Sequence, residues 1–298
     1  MDIKIESLWN NEEKASYTMY LMDNSLEIEA DRKHPAIVIC GGGGFVYISE
    51  KEKEPVALHF LNNGYQAFVL NYTTKSTGDG AYPTPLFDLA KMVLTIRENA
   101  DKWNIDPDNI FLIGFSAGGG ICGSLATQWN EAFLAKKLNT TSEKLRPTAA
   151  VLAYPLIDFY YQNKKAMEGI NGDEIVEFKH EKMKKSDLIR MAIVAAVGED
   201  TSSEALKEAS PINHISKDTI PMFIWGTAND NMIFSNQLLM FAEQLGNNKI
   251  PYEIHVFENG KHASSISNYN STPKGEDINT DIAMWLSMAM AFFNRHRK

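Results

Sequence analysis

The chain has 298 residues, 44% hydrophobic and 22% charged, an ordinary globular composition that excludes disorder and repeat architectures and suffices for one large α/β domain. A formal net charge of -9 leaves no basic footprint, so neither nucleic acid nor a membrane surface is expected as a partner. The two cysteines, Cys40 and Cys122, form neither a disulfide framework nor a metal spacing and are expected to be small buried thiols.

The first six residues alternate charges and lack the apolar core of a signal peptide, so a cytoplasmic protein is expected. Two antiparallel strands are predicted around residues 4–9 and 17–22, joined by the polar turn Asn10-Asn11-Glu12-Glu13. Residues 36–40 form a continuous apolar run that ends in Gly41-Gly42-Gly43-Gly44, the pattern of a buried parallel strand entering a loop. A helix follows over residues 54–62, with Pro55 in its first turn and Gly64 past its end, and then a buried strand over 66–72. The polar loop 73–85 leads into an amphipathic helix over 86–103, and residues 109–113 are again strand. Further strands are predicted at 148–154, 222–226 and 252–257, with a helix over 233–245 between the last two. Strands alternating with long helices predict a mostly parallel central sheet with helices on both faces. The stretch between Leu156 and Ile220 breaks this rhythm, and residues 159–196 are expected to be a small helical cap inserted into a single domain spanning 1–298. The apolar stretch 282–293 is too short to cross a bilayer and predicts a helix docked on the core.

Gly114-Phe115-Ser116-Ala117-Gly118 lies directly after the strand at 109–113 and directly before a helix, the strand, sharp turn, helix context of a nucleophile elbow. With 19 glycines in 298 residues and serine at about 7%, chance supplies roughly 0.08 such matches per chain. The bare pattern also fits a glycine-rich turn that merely packs strand against helix, so its companions decide. A serine nucleophile needs a histidine base on a loop after the last strand. His262 fits, in Glu258-Asn259-Gly260-Lys261-His262-Ala263 after the strand at 252–257. His34, His59, His255 and His296 fall before or within regular elements or in the tail, and His180 and His214 in or near the cap. The orienting acid should follow the preceding strand, where Asp230 stands, a residue that also fits an Asx turn or helix N-cap. The order Ser116, Asp230, His262 excludes the other known orders of such a triad. Oxyanion donors are expected from Ala117 and from the run Gly41 to Gly44; a phosphate-binding loop is the alternative, but no Gly-Lys-Ser/Thr or Gly-x-Gly-x-x-Gly spacing accompanies the run.

With these residues assembled, the chain resembles a bacterial α/β-hydrolase of the esterase/lipase family, close to the hormone-sensitive-lipase-like and acetyl-xylan-esterase-like carboxylesterases. The resemblance lies in Cys40-Gly41-Gly42-Gly43-Gly44-Phe45, in Gly64 to Tyr72, in Trp103 to Ile110 running into the elbow, in Gly226 to Asp230 and in His255 to His262. It covers most of the chain outside the cap. The family's usual His-Gly-Gly-Gly or Pro-Gly-Gly-Gly reads as four glycines here, so carrying the motif over puts the donor amides at Gly43 and Gly44, with Gly42 open as an alternative. The resemblance implies an α/β-hydrolase fold and two-step acyl transfer without metal or cofactor. It implies a small-molecule ester as substrate: short acyl esters, with acetyl groups on sugars or xylo-oligosaccharides as one case. Phe45, Tyr154 and Phe159, with Tyr160 and Tyr161, are candidates for a substrate-binding aromatic wall; the competing reading is plain core. A serine peptidase of the same fold would carry a large additional domain, and a non-catalytic binding homologue typically loses the triad histidine. A homodimer stays open, because one chain does not reveal its contact surface.

Overall fold

The computed structural model describes residues 1–10, 12–169, 174–178, 181–272, 275 and 278–298. The chain runs β1 (Asp2–Trp9), β2 (Glu12–Leu21), β3 (His34–Cys40), α1 (Glu54–Asn62), β4 (Gln66–Asn71), α2 (Thr84–Glu98), β5 (Ile105–Phe115), α3 (Ala117–Gln128), α4 (Ala132–Leu138) and β6 (Ala150–Ala153). It continues through α5 (Phe159–Met167), β7 (Ile175–Phe178), β8 (Glu181–Lys184), α6 (Lys185–Val197), α7 (Ser203–Ala209), β9 (Met222–Thr227), α8 (Asn236–Asn247), β10 (Tyr252–Phe257), α9 (Thr280–Ala283) and α10 (Trp285–His296).

Eight strands form one sheet in the order β1-β2-β4-β3-β5-β6-β9-β10. The β1–β2 and β2–β4 pairs are antiparallel, and every other neighbouring pair is parallel. This is the expected α/β-hydrolase fold, a mostly parallel sheet carrying helices on both faces. The two-residue period of a strand explains the two core layers. On β3, Ala36, Val38 and Cys40 face the layer built with Leu89 and Val93 of α2 and Leu125 of α3. Ile37 and Ile39 face the opposite layer, with Phe60 of α1 and Phe293 of α10. Because both faces are covered, all seven residues of β3 are buried, and that is why residues 36–40 read as an unbroken apolar run.

The apolar C-terminal stretch docks on this core as expected: Trp285 is fully buried and its ring stacks on Trp225 at 5.4 Å between centroids. Among the described residues no helix is long and apolar enough to cross a membrane. Cys40 and Cys122 are both free and buried. Strand β2 begins at Glu12, within the stretch expected to be a turn and ahead of the expected start at 17; Asn11 lies outside the described residues.

The cap differs from expectation. Helices α5 and α6 are present, but between them β7 and β8 pair antiparallel, with Ile175 opposite Lys184 and Val176 opposite Met183. Residues 170–173 and 179–180, His180 among them, lie outside the described residues. Local β propensity explains the hairpin: Ile175 and Val176 are β-branched, and the strand needs only the four residues of β8 as partner.

The parallel strands end together. Cys40 pairs with Gly114, Phe115 with Ala153, Ala153 with Trp225, and Thr227 with Phe257. The loops leaving β3, β5, β9 and β10 therefore converge at one edge of the sheet, where open α/β sheets hold their ligands.

Candidate active site

Ser116 occupies the single residue between β5 and α3, with φ 51° and ψ -114°. A left-handed conformation at a non-glycine residue persists only where surrounding bonds over-determine it. Here the Ser116 N–H donates to Ala153 O at 2.9 Å, and Ser116 O accepts from the N–H groups of Gly120 and Leu156, each at 3.1 Å. The neighbouring glycines permit close packing: a Cβ on Gly118 would lie 2.1 Å from the carbonyl oxygen of Cys40. The hydroxyl is thereby fixed at the end of the strand, facing the loops of β9 and β10.

Those loops bring the other two expected residues to it. His262 Nε2 lies 2.9 Å from Ser116 Oγ, and His262 Nδ1 lies 2.8 Å from Asp230 Oδ2. Both readings of Asp230 are realised at once, because its other oxygen accepts from Met232 N–H at 2.8 Å and Ile233 N–H at 3.0 Å, fixing the carboxylate as a turn before α8. Burial draws the His262 imidazole down, but the charge and hydrogen bond of Asp230, with the charge of Glu52 behind them, outweigh it and leave the ring above its ordinary 6.5. Burial pushes the Asp230 carboxyl up, and the charge and hydrogen bond of His262 with the two backbone amides bring it below its ordinary 3.8. A serine hydroxyl on a neutral imidazole, itself steered by a buried carboxylate, is an arrangement suited to nucleophilic attack.

Gly43 and Gly44 line the same cavity as Ser116 and His262. Gly43 has φ +133° and its carbonyl accepts from the N–H groups of Val46 and Tyr47, so the loop folds back on itself beside the cavity. Any Cβ there would lie 2.1 Å from Tyr47 O. The Gly42 amide is occupied elsewhere: it donates to Glu52 Oε2 at 2.6 Å. Ala117 opens α3, where backbone amides have no partner within the helix. The cavity measures about 660 Å³, and the cap contributes apolar lining to it through Val176, Leu188, Ile189 and Ala192. Among the described residues no group of three His, Cys, Asp or Glu stands together as a metal site.

The sequence profile of the BD-FAE family matches residues 22–245 of the chain. The chain belongs to the BD-FAE family. Among proteins similar to this BD-FAE chain, endo-1,4-beta-xylanase B of Butyrivibrio fibrisolvens is 30% identical over 269 residues, covering 88% of the chain and 38% of the xylanase. The acetylxylan esterase of Xylanibacter ruminicola is 30% identical over 123 residues, covering 41% of the chain and 22% of that esterase. The chain thus spans well under half the length of either relative. Among solved structures, the carboxylesterase Cest-2923 of Lactobacillus plantarum matches 99% of the chain with 98% of its own, at a TM-score of 0.78 and 23% identity, a likeness of fold.

In this BD-FAE chain the aromatic wall drawn from the sequence has to be corrected. Phe45 and Phe159 pack against each other at 5.9 Å between centroids and bound a separate void of only about 20 Å³. Tyr154 is 2% exposed and lies behind the site, its ring edge-on to His262 at 5.0 Å. None of the three, nor Tyr160 or Tyr161, lines the main cavity. The rings of Phe45, Tyr154 and Phe159 are packed in the layers beneath the cavity, while Leu156, which also follows β6, and residues of α6 and the hairpin line it. Sequence reasoning also missed Glu52, which sits in the run Glu50-Lys51-Glu52-Lys53-Glu54 and looks like a solvated stretch, yet is 1% exposed and lines the cavity.

Proposed function

We propose that the chain is a serine esterase that hydrolyses short-chain acyl esters, with acetyl esters of sugars or xylo-oligosaccharides as the favoured class. The observation that carries this reading is the Ser116–His262–Asp230 relay at 2.9 and 2.8 Å, opening into a cavity with a glycine loop on one side. His262 Nε2 takes the Ser116 proton as Oγ attacks the ester carbonyl. The amides of Gly43, Gly44 and Ala117 receive the developing oxyanion, and His262 returns the proton to the leaving alcohol. Water then attacks the acyl-enzyme with His262 again as base, releasing the acid and free Ser116. Asp230 holds the imidazole in the tautomer that leaves Nε2 free to accept. The cavity, at about 660 Å³, is within the range that binds small molecules. Support for the acetyl-sugar class comes from the relative named acetylxylan esterase and from the xylanase that carries a matching segment.

Intact mass after exposure to a fluorophosphonate should show one adduct, located on Ser116, and hydrolysis of nitrophenyl acetate should exceed that of long-chain esters. Acetylated xylo-oligosaccharides should be deacetylated faster than nitrophenyl acetate at equal concentration. No adduct and no hydrolysis of any ester would reject the esterase; an adduct with no sugar-ester preference would reject the sugar class alone.

The pH dependence follows from the site. Only neutral His262 accepts the serine proton, and its affinity for a proton is raised, so the acid limb of kcat/KM should have its midpoint above pH 6.5. A midpoint below that value contradicts the coupling of His262 to Asp230.

A further inference from the structure

Glu52 is a buried carboxylate with no part in the mechanism above. It lies between the glycine loop and α1, and its two oxygens have different partners. Oε2 accepts from Gly42 N–H at 2.6 Å, and Oε1 accepts from Tyr154 O–H at 2.7 Å. The Tyr154 oxygen in turn accepts from Ser265 N–H at 2.9 Å, and Ser265 Oγ donates to Lys51 O at 2.7 Å. Ser265 is three residues past His262. One carboxylate therefore ties the loop that bears the oxyanion amides to the loop that bears the base, across the ring of Tyr154 that packs on His262.

We propose that Glu52 is a positioning residue of the acyl-transfer reaction, holding Gly42 so that Gly43 and Gly44 face the oxyanion and holding the His262 loop in register with Ser116. The inference rests on the serine-esterase reading. Three observations support it. A Cβ on Gly42 would lie 2.8 Å from Ser116 Cβ and 3.0 Å from Glu52 Oε2, so this glycine is the contact between the carboxylate and the nucleophile. The histidine loop is conformationally demanding, with Ala263, Ser265 and Ser267 all at positive φ between 48° and 61°, and such a segment keeps its shape only when held from outside. Finally, a buried carboxylate is a costly way to fill space, and an apolar side chain of similar size would serve stability as well or better. Burial pushes the Glu52 carboxyl above its ordinary range against the pull of Tyr154, Gly42 and His262, and both oxygens being matched to donors identifies what the group is there to hold.

Glu52 also faces His262 electrostatically. The charged or titratable groups acting on His262 are Asp230, Glu52 and Lys185, and those around Glu52 are Tyr154, His262, Lys51, Tyr47 and Tyr72. Removing the Glu52 charge alone takes away one contribution that favours the imidazolium.

The test compares Glu52→Ala, Glu52→Gln and Tyr154→Phe in the full chain, with steady-state kinetics on nitrophenyl acetate and thermal unfolding of each. Glu52→Ala should lower kcat about 100-fold with KM within about threefold of wild type, since mis-set oxyanion donors affect the transition state and not ground-state binding. Glu52→Gln accepts from Gly42 N–H and donates to the Tyr154 oxygen, so it should recover at least about tenfold of that loss and move the acid limb of kcat/KM to lower pH. Three results overturn the inference: kcat within about threefold of wild type in both Glu52 variants, a loss confined to KM, or equal losses in Ala and Gln with an unmoved acid limb. If neither Glu52 variant folds, Tyr154→Phe decides, with a kcat loss of about tenfold or more at constant KM in favour and kcat within about threefold against. A wild-type chain that takes no fluorophosphonate and cleaves no ester overturns the esterase reading and this inference with it. An active wild type beside unaffected variants overturns the inference alone.

Discussion

Replacing Ser116 with alanine is expected to lower kcat on nitrophenyl acetate by about 10⁵- to 10⁶-fold while leaving the thermal midpoint nearly unchanged. The two halves of this expectation come from different atoms. Activity depends on Oγ, whose partner in the described structure is His262 Nε2 at 2.9 Å. The elbow itself is held through the main chain, by the bonds to Ala153, Gly120 and Leu156, all of which alanine keeps. Alanine at φ 51° is no more strained than serine, so the turn gains no new cost. Adding His262→Ala to Ser116→Ala should cost little more, because residues that act as a unit are not additive. A Ser116→Ala protein that keeps more than about a thousandth of wild-type turnover would mean that another group attacks the ester.

Gly118→Ala is expected to damage stability and activity together. Its Cβ would stand 2.1 Å from Cys40 O and 2.6 Å from Gly41 O, both main-chain atoms with no rotamer to yield. Cys40 cannot retreat, because β3 is paired along its length with β4 and β5 in the middle of the sheet. Helix α3 must therefore lift from the sheet, taking Ala117 and the Ser116 turn with it. A forced backbone shift in a filled core places this substitution among the severe ones, at about 4 kcal/mol or more. For a chain of this size that is a fall of the thermal midpoint on the order of 10 °C. A Gly118→Ala protein with a wild-type midpoint and wild-type turnover would show that strand and helix are not packed as closely as described.

The sheet was legible in the sequence because strands buried on both faces need apolar side chains at every position, and runs such as Ile110 to Ile113 leave no other element to assign. Ser116, Asp230 and His262 were legible for a different reason. Each follows a strand in a fixed order, so topology predicts their meeting without any knowledge of side-chain packing. What topology does not encode was missed. Glu52 is surrounded in sequence by Lys51, Lys53 and two more glutamates, and only the tertiary placement of Tyr154 and Gly42 makes its environment dry. The aromatic residues near Tyr154 and Phe159 misled because composition does not distinguish a ring that bounds a cavity from one a layer beneath it. The β7–β8 hairpin escaped because four-residue strands are too short for their periodicity to stand out from the helical segments around them.

The cavity wall has two owners. Ser116, His262 and the glycines stand on loops of the sheet, whereas Val176, Leu188, Ile189 and Ala192 belong to the segment inserted between β6 and β9. A substitution at Val176, Leu188 or Ile189 reshapes the room available to a guest molecule while the bonds that join Ser116, His262 and Asp230 are made elsewhere. On the esterase reading, turnover and selectivity are inherited on separate stretches of the chain, so a lineage of such proteins is free to change its diet by rewriting the inserted segment while the triad residues stay as they were.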